Sequence, residues 1–272
     1  MGSKRDASEG AQTSPARAAR DLGSRAGSGR RIGLEVRRIL DSGTLQELLD
    51  YCNRAPARKV INSLIQAFYR AGSERRWWAV TAFGIVAARI AEEDMERARI
   101  LMRRLMWSLN DESGGIGWGA PEAMAEAMAN VRRLAEEYCR ILLSYIREDG
   151  NFLEHRPLRR GALWGIMRLA QSHPDLFSEI DACTHLAGYL SDPDPESRAL
   201  AALAAGFGRC GSLEAGLKPL LADETRVEIW CIQETGSGEG GQERRSASLD
   251  AGMRVMSVGQ AARFALERLS CV

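Results

Sequence analysis

Two short stretches carry the residues in which chemistry would be sought. "LNDESGGIGWGAPE" holds Asp111, Glu112 and Trp118, and "EDGNFLEHRP" holds Asn151, Glu154 and His155. Together they offer carboxylates, an amide, an imidazole and an indole, from which acid/base catalysis, hydrogen-bonded recognition or metal binding is built. Metal binding has the least support. The histidines are His155, His173 and His185, and none forms an H-x-x-x-H or His-Glu pair on one helical face. The cysteines, Cys52, Cys139, Cys183, Cys210, Cys231 and Cys271, include no C-x-x-C pair, so neither a zinc nor a redox motif is suggested and most of them read as small buried apolar residues. Neither a metal nor a resident cofactor is expected. A lone histidine such as His155 is more often solvated or locally hydrogen-bonded than catalytic.

The glycines in "GGIGWG", Gly114 to Gly119, follow a helical run where a dinucleotide fingerprint needs a strand, so a Rossmann reading is rejected. The helix that restarts at Pro121 presents free backbone N–H groups to an anion. Glu122 in its first turn, with Asp111 and Glu112 nearby, makes a cationic or hydrogen-bonding partner at least as good a match. A packing role competes with both: Trp118 would plug a gap between helices, and Asp111 and Glu112 would cap a helix or pair with Arg103 and Arg104.

Helices must position these residues. Val60, Ile61, Leu64, Ile65 and Phe68 recur at spacings of three and four, as do Leu101, Leu105 and Leu109, and almost nothing alternates with period two before residue 224. The bulk is therefore expected to be all-α. Two segments repeat: "ERRWWAVTAFG" and "ESRALAALAAG" share E-x-R-x-x-A-x-x-A-x-G, matching Glu74, Arg76, Ala79, Ala82 and Gly84 with Glu196, Arg198, Ala201, Ala204 and Gly206. Weaker copies at Ala123, and at Arg159 with Ala162, divide the 122-residue offset into steps of 44, 39 and 39. Asp194 as N-cap with Pro195 behind it starts the last copy.

Two-helix repeats of this period resemble the HEAT family, including the HEAT-like units of phycobilisome lyases. The resemblance spans roughly residues 54–222, with a degenerate unit after it. "LNDESGGIGWGAPE" and "LLSYIREDGNFLEH" resemble more specifically a HEAT-like family of anaerobic bacteria without an assigned activity. What this implies is a fold, an α-solenoid of stacked helix pairs: 54–71 with 74–91, 95–109 with 121–130, 131–148 with 157–171, 178–191 with 195–209, and 212–222 with 257–268. HEAT-repeat hydroxylases, similar in fold, carry repeated His-Glu motifs that this chain lacks. In such an array residues 110–120, 149–156 and 223–256 each join the first helix of a pair to the second and emerge at one edge, where binding faces form. Trp118, Asp111 and Glu112 are then expected to approach Glu154 and His155.

The last of these connections breaks the helical rule. "RVEIWCIQ" and "MRVMSV" read as the strands of a small β-hairpin around a Gly- and Ser-rich mobile loop, about 225–256, with Ser257 capping the closing helix. At the other end, residues 1–31 contain one Leu as their only large apolar residue and read as a disordered basic tail, leaving 32–272 as a single solenoid domain.

Composition narrows the function. Residues 1–31 hold seven Lys/Arg and three Asp/Glu, so the tail is +4 and the rest of the chain −3, which argues against a dominant nucleic-acid footprint. The 34 Arg against 3 Lys are explained by coding bias as readily as by phosphate recognition. No apolar run approaches the roughly 18 residues of a membrane span and no secretory h-region is present, so the cytoplasm is the default compartment. Trp77, Trp78, Trp107 and Trp164 lie near Arg-rich stretches. HEAT-type DNA glycosylases line a basic concave face with aromatic and acidic residues, but apolar neighbours favour these tryptophans as core filling. The reading that follows is a binding or scaffold module for a protein or cofactor-bearing partner. An acid/base enzyme of lyase or cofactor-maturation type, using Asp111, Glu112, Glu154 and His155, stands as the first alternative and a glycosylase-type nucleic-acid binder as the second.

Overall fold

Side chains that satisfy free backbone groups mark where four of the helices begin. In the computed structural model, which describes residues 15–69, 73–110, 117–234 and 249–270, Thr44 and Glu47 form a reciprocal capping box and Asp94 accepts from the amides of Glu96 and Arg97. Asp194 caps with Ser197 N, 3.1 Å away, and Ser257 and Gln260 bond each other's backbone N–H at 3.1 and 2.8 Å. The helices are α1 (Pro15–Ser42), α2 (Leu45–Arg54), α3 (Ala57–Ala67), α4 (Ser73–Glu93), α5 (Met95–Leu109), α6 (Ala120–Asn130), α7 (Arg132–Ser144), α8 (Arg156–Ser172), α9 (Pro174–Glu179), α10 (Ala182–Leu186), α11 (Pro195–Phe207), α12 (Glu214–Leu217) and α13 (Val258–Ser270). Helix α1 extends into the segment expected to be an unstructured tail, although among the described side chains the core begins at Ile32. Residues 1–14 lie outside the described residues.

The helices form two layers. Helix α4 packs on α6, α6 on α8, α8 on α11 and α11 on α13, while α3, α5, α7 and α9 flank them from the other layer. First-layer helices are amphipathic: α7 buries Leu134, Ala135, Tyr138, Cys139, Leu142 and Leu143, one face of a 3.6-residue period. Second-layer helices have neighbours on several sides, so every residue of α6 from Ala120 to Ala129 is buried. The repeated small residues permit their close approach: Ala79 and Ala201 are fully buried, and a Cβ on Gly206 would lie 2.8 Å from Ala265 Cα. This is an all-α, HEAT-like α-solenoid.

Three features depart from the expected regularity. The first helix expected over 178–191 is instead α9, α10 and a 3₁₀ turn at Ala187–Ser191, because Pro174 starts a new helix and Asp181, in the left-handed region at φ 53°, interrupts it. Trp107 is 79% exposed rather than core. It lies two residues past Leu105, about 200° around the helix from that core position. The third is a disulfide, Cys183–Cys210, a pairing that nothing in the sequence leads one to expect. Stacking brings α10 and the end of α11 together across a separation of 27 residues, which no local spacing reveals. Reduction, or Cys183→Ala with Cys210→Ala, is expected to lower stability by about 2–4 kcal/mol in urea unfolding. An unchanged midpoint would show that the crosslink adds nothing.

The hairpin joins β1 (Arg226–Glu234) to β2 (Leu249–Ser257), antiparallel, with Trp230 opposite Met253. It lies against the second layer: Trp164 Nε1 donates to Trp230 O at 2.7 Å, Trp230 Nε1 to Thr81 Oγ1 at 3.1 Å, and Gln171 Nε2 to Ile232 O at 2.7 Å. Among the described residues no helix is long and apolar enough to cross a membrane.

Candidate functional site

The first turns of the second-layer helices bring four charged side chains to one edge: Arg76 on α4, Glu122 on α6, Arg160 on α8 and Glu196 on α11. With Trp77, Trp164 and Trp230 they line a cavity of about 280 Å³, which β1 closes on one side. The tryptophans form a fixed wall. Trp77 meets Trp164 at 4.6 Å between ring centroids and lies within 5° of parallel to Trp230 at 6.1 Å. The Trp164 and Trp230 indole N–H groups are already donated inside the protein.

Glu122 is 3% exposed and its Oε2 has no hydrogen-bond partner. Its Oε1 faces Arg76 Nη2 at 3.5 Å, and the Arg76 guanidinium also lies 5.3 Å from the Trp77 ring centroid. Gly161 makes room for this carboxylate, since a Cβ there would sit 2.6 Å from Glu122 Cδ. Arg160 is committed more tightly: it grips Asp194 with two bonds of 2.7 and 2.6 Å and reaches Glu196 at 3.0 Å.

Burial pushes the Glu122 carboxyl above its ordinary range, with Arg76 opposing, and burial likewise raises Glu196 against Arg160. Asp194 is held low: its burial is outweighed by bonds from Arg160 and Ser197. A carboxyl raised on folding contributes stability below its unfolded value of 4.5, and that contribution is lost as pH rises through the folded value. Glu122→Gln should therefore gain in melting temperature relative to the parent as pH rises from 4 to 8. A parent that gained on the variant over that range would show the Arg76 pair outweighing desolvation.

Of the residues singled out from sequence, Trp118 lies just before α6 and His155 just before α8, beside the starts of these helices. Trp118 and His155 are in edge-to-face contact, 5.3 Å between ring centroids. Gly119 supports the turn, with φ +74° and a would-be Cβ 3.0 Å from Phe68. His155 is the exposed N-cap residue of α8 and its ring makes no cap bond. Glu154 is exposed, and its backbone oxygen accepts from Arg159 at 3.1 Å. Asn151 donates instead to Ser144 Oγ at 3.0 Å, which stabilises its own turn. Asp111 and Glu112 lie outside the described residues. Arg103 bonds Glu96 and Arg104 bonds Asn62, each at 2.6 Å. Among the described residues no group of three or more His, Cys, Asp or Glu is placed to hold a metal ion.

From the sequence alone Glu122 reads as a helix-start residue and Trp77 and Trp164 as core, and nothing in it assigns Arg160 or Trp230 to a site. The E-x-R repeat was a usable signal, because it marks charged positions recurring at the starts of stacked helices.

No protein-family model and no curated protein matches the chain. Solved structures do. A computationally designed armadillo repeat protein for modular peptide recognition is 18% identical, covering 89% of this chain and 98% of its own, with a TM-score of 0.44. A designed armadillo repeat protein in complex with the peptide (KR)4 is 16% identical over 92% and 94%, with a TM-score of 0.45. The archaeal HEAT-like repeats protein from Thermococcus onnurineus is 8% identical over 87% and 98%, with a TM-score of 0.31.

Proposed function

We propose that this chain is a binding module for a protein partner, engaged along the edge where the second-layer helices begin. The observation that carries the reading is the buried, unpartnered Oε2 of Glu122 inside a tryptophan-walled cavity. An unmatched buried acceptor costs about 1–3 kcal/mol, so a protein retains one where a ligand completes it. The cavity falls just under the roughly 300–1,000 Å³ of sites that enclose whole small molecules, which suits one side chain of a larger partner. Trp118, His155 and Glu154 supply outer contacts on the same edge, and Asp111 and Glu112, in the connection just before Trp118, belong to the same proposed surface.

The test is site-specific crosslinking. A photoreactive residue at exposed Glu228, on the cavity wall, should capture a defined partner, while the same residue at exposed Leu34 on α1 should not. Gly161→Leu, whose side chain would drive the Glu122 carboxylate from its position, should abolish the Glu228 crosslink. Equal capture from both positions, or capture insensitive to Gly161→Leu, would overturn the reading.

A further inference from the structure

We infer that the cavity receives a guanidinium group, the side chain of a partner arginine, with Glu122 Oε2 as its acceptor. This rests on the binding-module reading above and adds the chemistry of the group recognised.

The unmet need in the cavity is for an N–H donor. Glu122 Oε2 is the buried acceptor without a partner, and it is held between α6, which carries it, and the close approach of Gly161. The walls cannot serve an acceptor ligand equally well. The Trp164 and Trp230 N–H groups are committed inside the fold, Arg160 is bound by Asp194 and Glu196, and Arg76 is turned toward Glu122 and Trp77. Charge points the same way. Glu122, Glu196 and Glu228 line the cavity, opposed by the two guanidinium groups of Arg76 and Arg160, of which Arg160 is also paired with Asp194. An anion, including a nucleic-acid phosphate, would meet a carboxylate excess. A cation would relieve it.

Shape narrows the cation to a flat one. Three indoles line the space, and a guanidinium is planar, weakly hydrated and able to pack against an aromatic ring while giving N–H groups to a carboxylate. Arg76 already does both from within the chain, over Trp77 and beside Glu122. Its ion pair uses Oε1 and leaves Oε2 for the incoming group.

Calorimetric titration of the full chain separates the outcomes. The probes are acetyl-Gly-Arg-Gly-amide, the same peptide with citrulline in place of arginine, and methylguanidinium. Citrulline preserves the size and planarity of the side chain and removes its charge. The arginine peptide should bind at least tenfold more tightly than the citrulline peptide, and Glu122→Gln should erase most of that difference. Methylguanidinium should bind more weakly than the peptide; equal binding would indicate a free small cation as the source. Equal affinity for the arginine and citrulline peptides, no binding of either, or full discrimination by Glu122→Gln would overturn the inference. The arginine–citrulline comparison uses the unaltered protein, so it does not depend on how the variant folds. The Glu228 crosslink distinguishes the failures: if it persists, the binding module stands with a different recognised group, and if it is lost, both readings fall.

Discussion

Arg168→Met is expected to cost about 3–5 kcal/mol of stability. Arg168 on α8 and Glu126 on α6 form a 2.7 Å ion pair with side chains 3% and 2% exposed. Arg168 Nη1 also donates to Gln171 Oε1 at 3.3 Å, and Gln171 Nε2 donates on to the backbone of β1 at Ile232 O, 2.7 Å away. The pair thus ties two stacked helices and the hairpin into one polar network inside an apolar layer. Removing the guanidinium takes away the counter-charge 2.7 Å from buried Glu126, to which Asn130 Nδ2 still donates at 3.5 Å, and Met fills the volume without replacing that charge. Urea unfolding should show the loss as a lower midpoint at unchanged slope. Adding Glu126→Leu should restore most of it, because a buried pair replaced on both sides by apolar groups is often close to neutral. A single variant within 1 kcal/mol of the parent, or a double variant no better than the single, would show that the network is not what joins these elements.

Trp230→Ala should be comparably severe, about 3–5 kcal/mol by the cost of emptying a large buried aromatic site. Trp230 is fully buried, lies parallel to Trp77 and bonds Thr81 on α4. It anchors the hairpin, since two strands alone are marginal in water and must dock on something. Truncation would leave a void beside Trp77 and Trp164 and an unmet Thr81 hydroxyl, so the loss should appear in near-UV circular dichroism as well as in the unfolding midpoint. Retained stability with an unchanged aromatic signal would place the anchoring of the hairpin elsewhere.

Much of the architecture was legible because its causes act over a few residues. A helix start depends on a capping side chain three positions from the N–H it satisfies, and Asp194 and Ser257 do what their neighbours in sequence imply. Three- and four-residue apolar spacing marks the buried face of each first-layer helix, and the E-x-R-x-x-A-x-x-A-x-G repeat discloses the stacking, because small residues must recur wherever helices approach closely. The β-branched and aromatic residues of "RVEIWCIQ" likewise mark the first strand of the hairpin.

The cavity was not legible, although every residue in it was in view. Whether Glu122 is a solvated first-turn acid or a buried acceptor depends on Gly161, on the next second-layer helix, and on Trp230, which reaches the wall only when β1 docks across α4 and α8. The same holds for Cys183 and Cys210, for the buried pair of Glu126 with Arg168, and for Trp118 against His155. Local sequence determined which residues face inward from each helix, because backbone periodicity and capping are short-range. Tertiary structure alone decided which inward-facing residues meet, because helix stacking joins positions tens of residues apart and burial then sets their charge and hydrogen bonding.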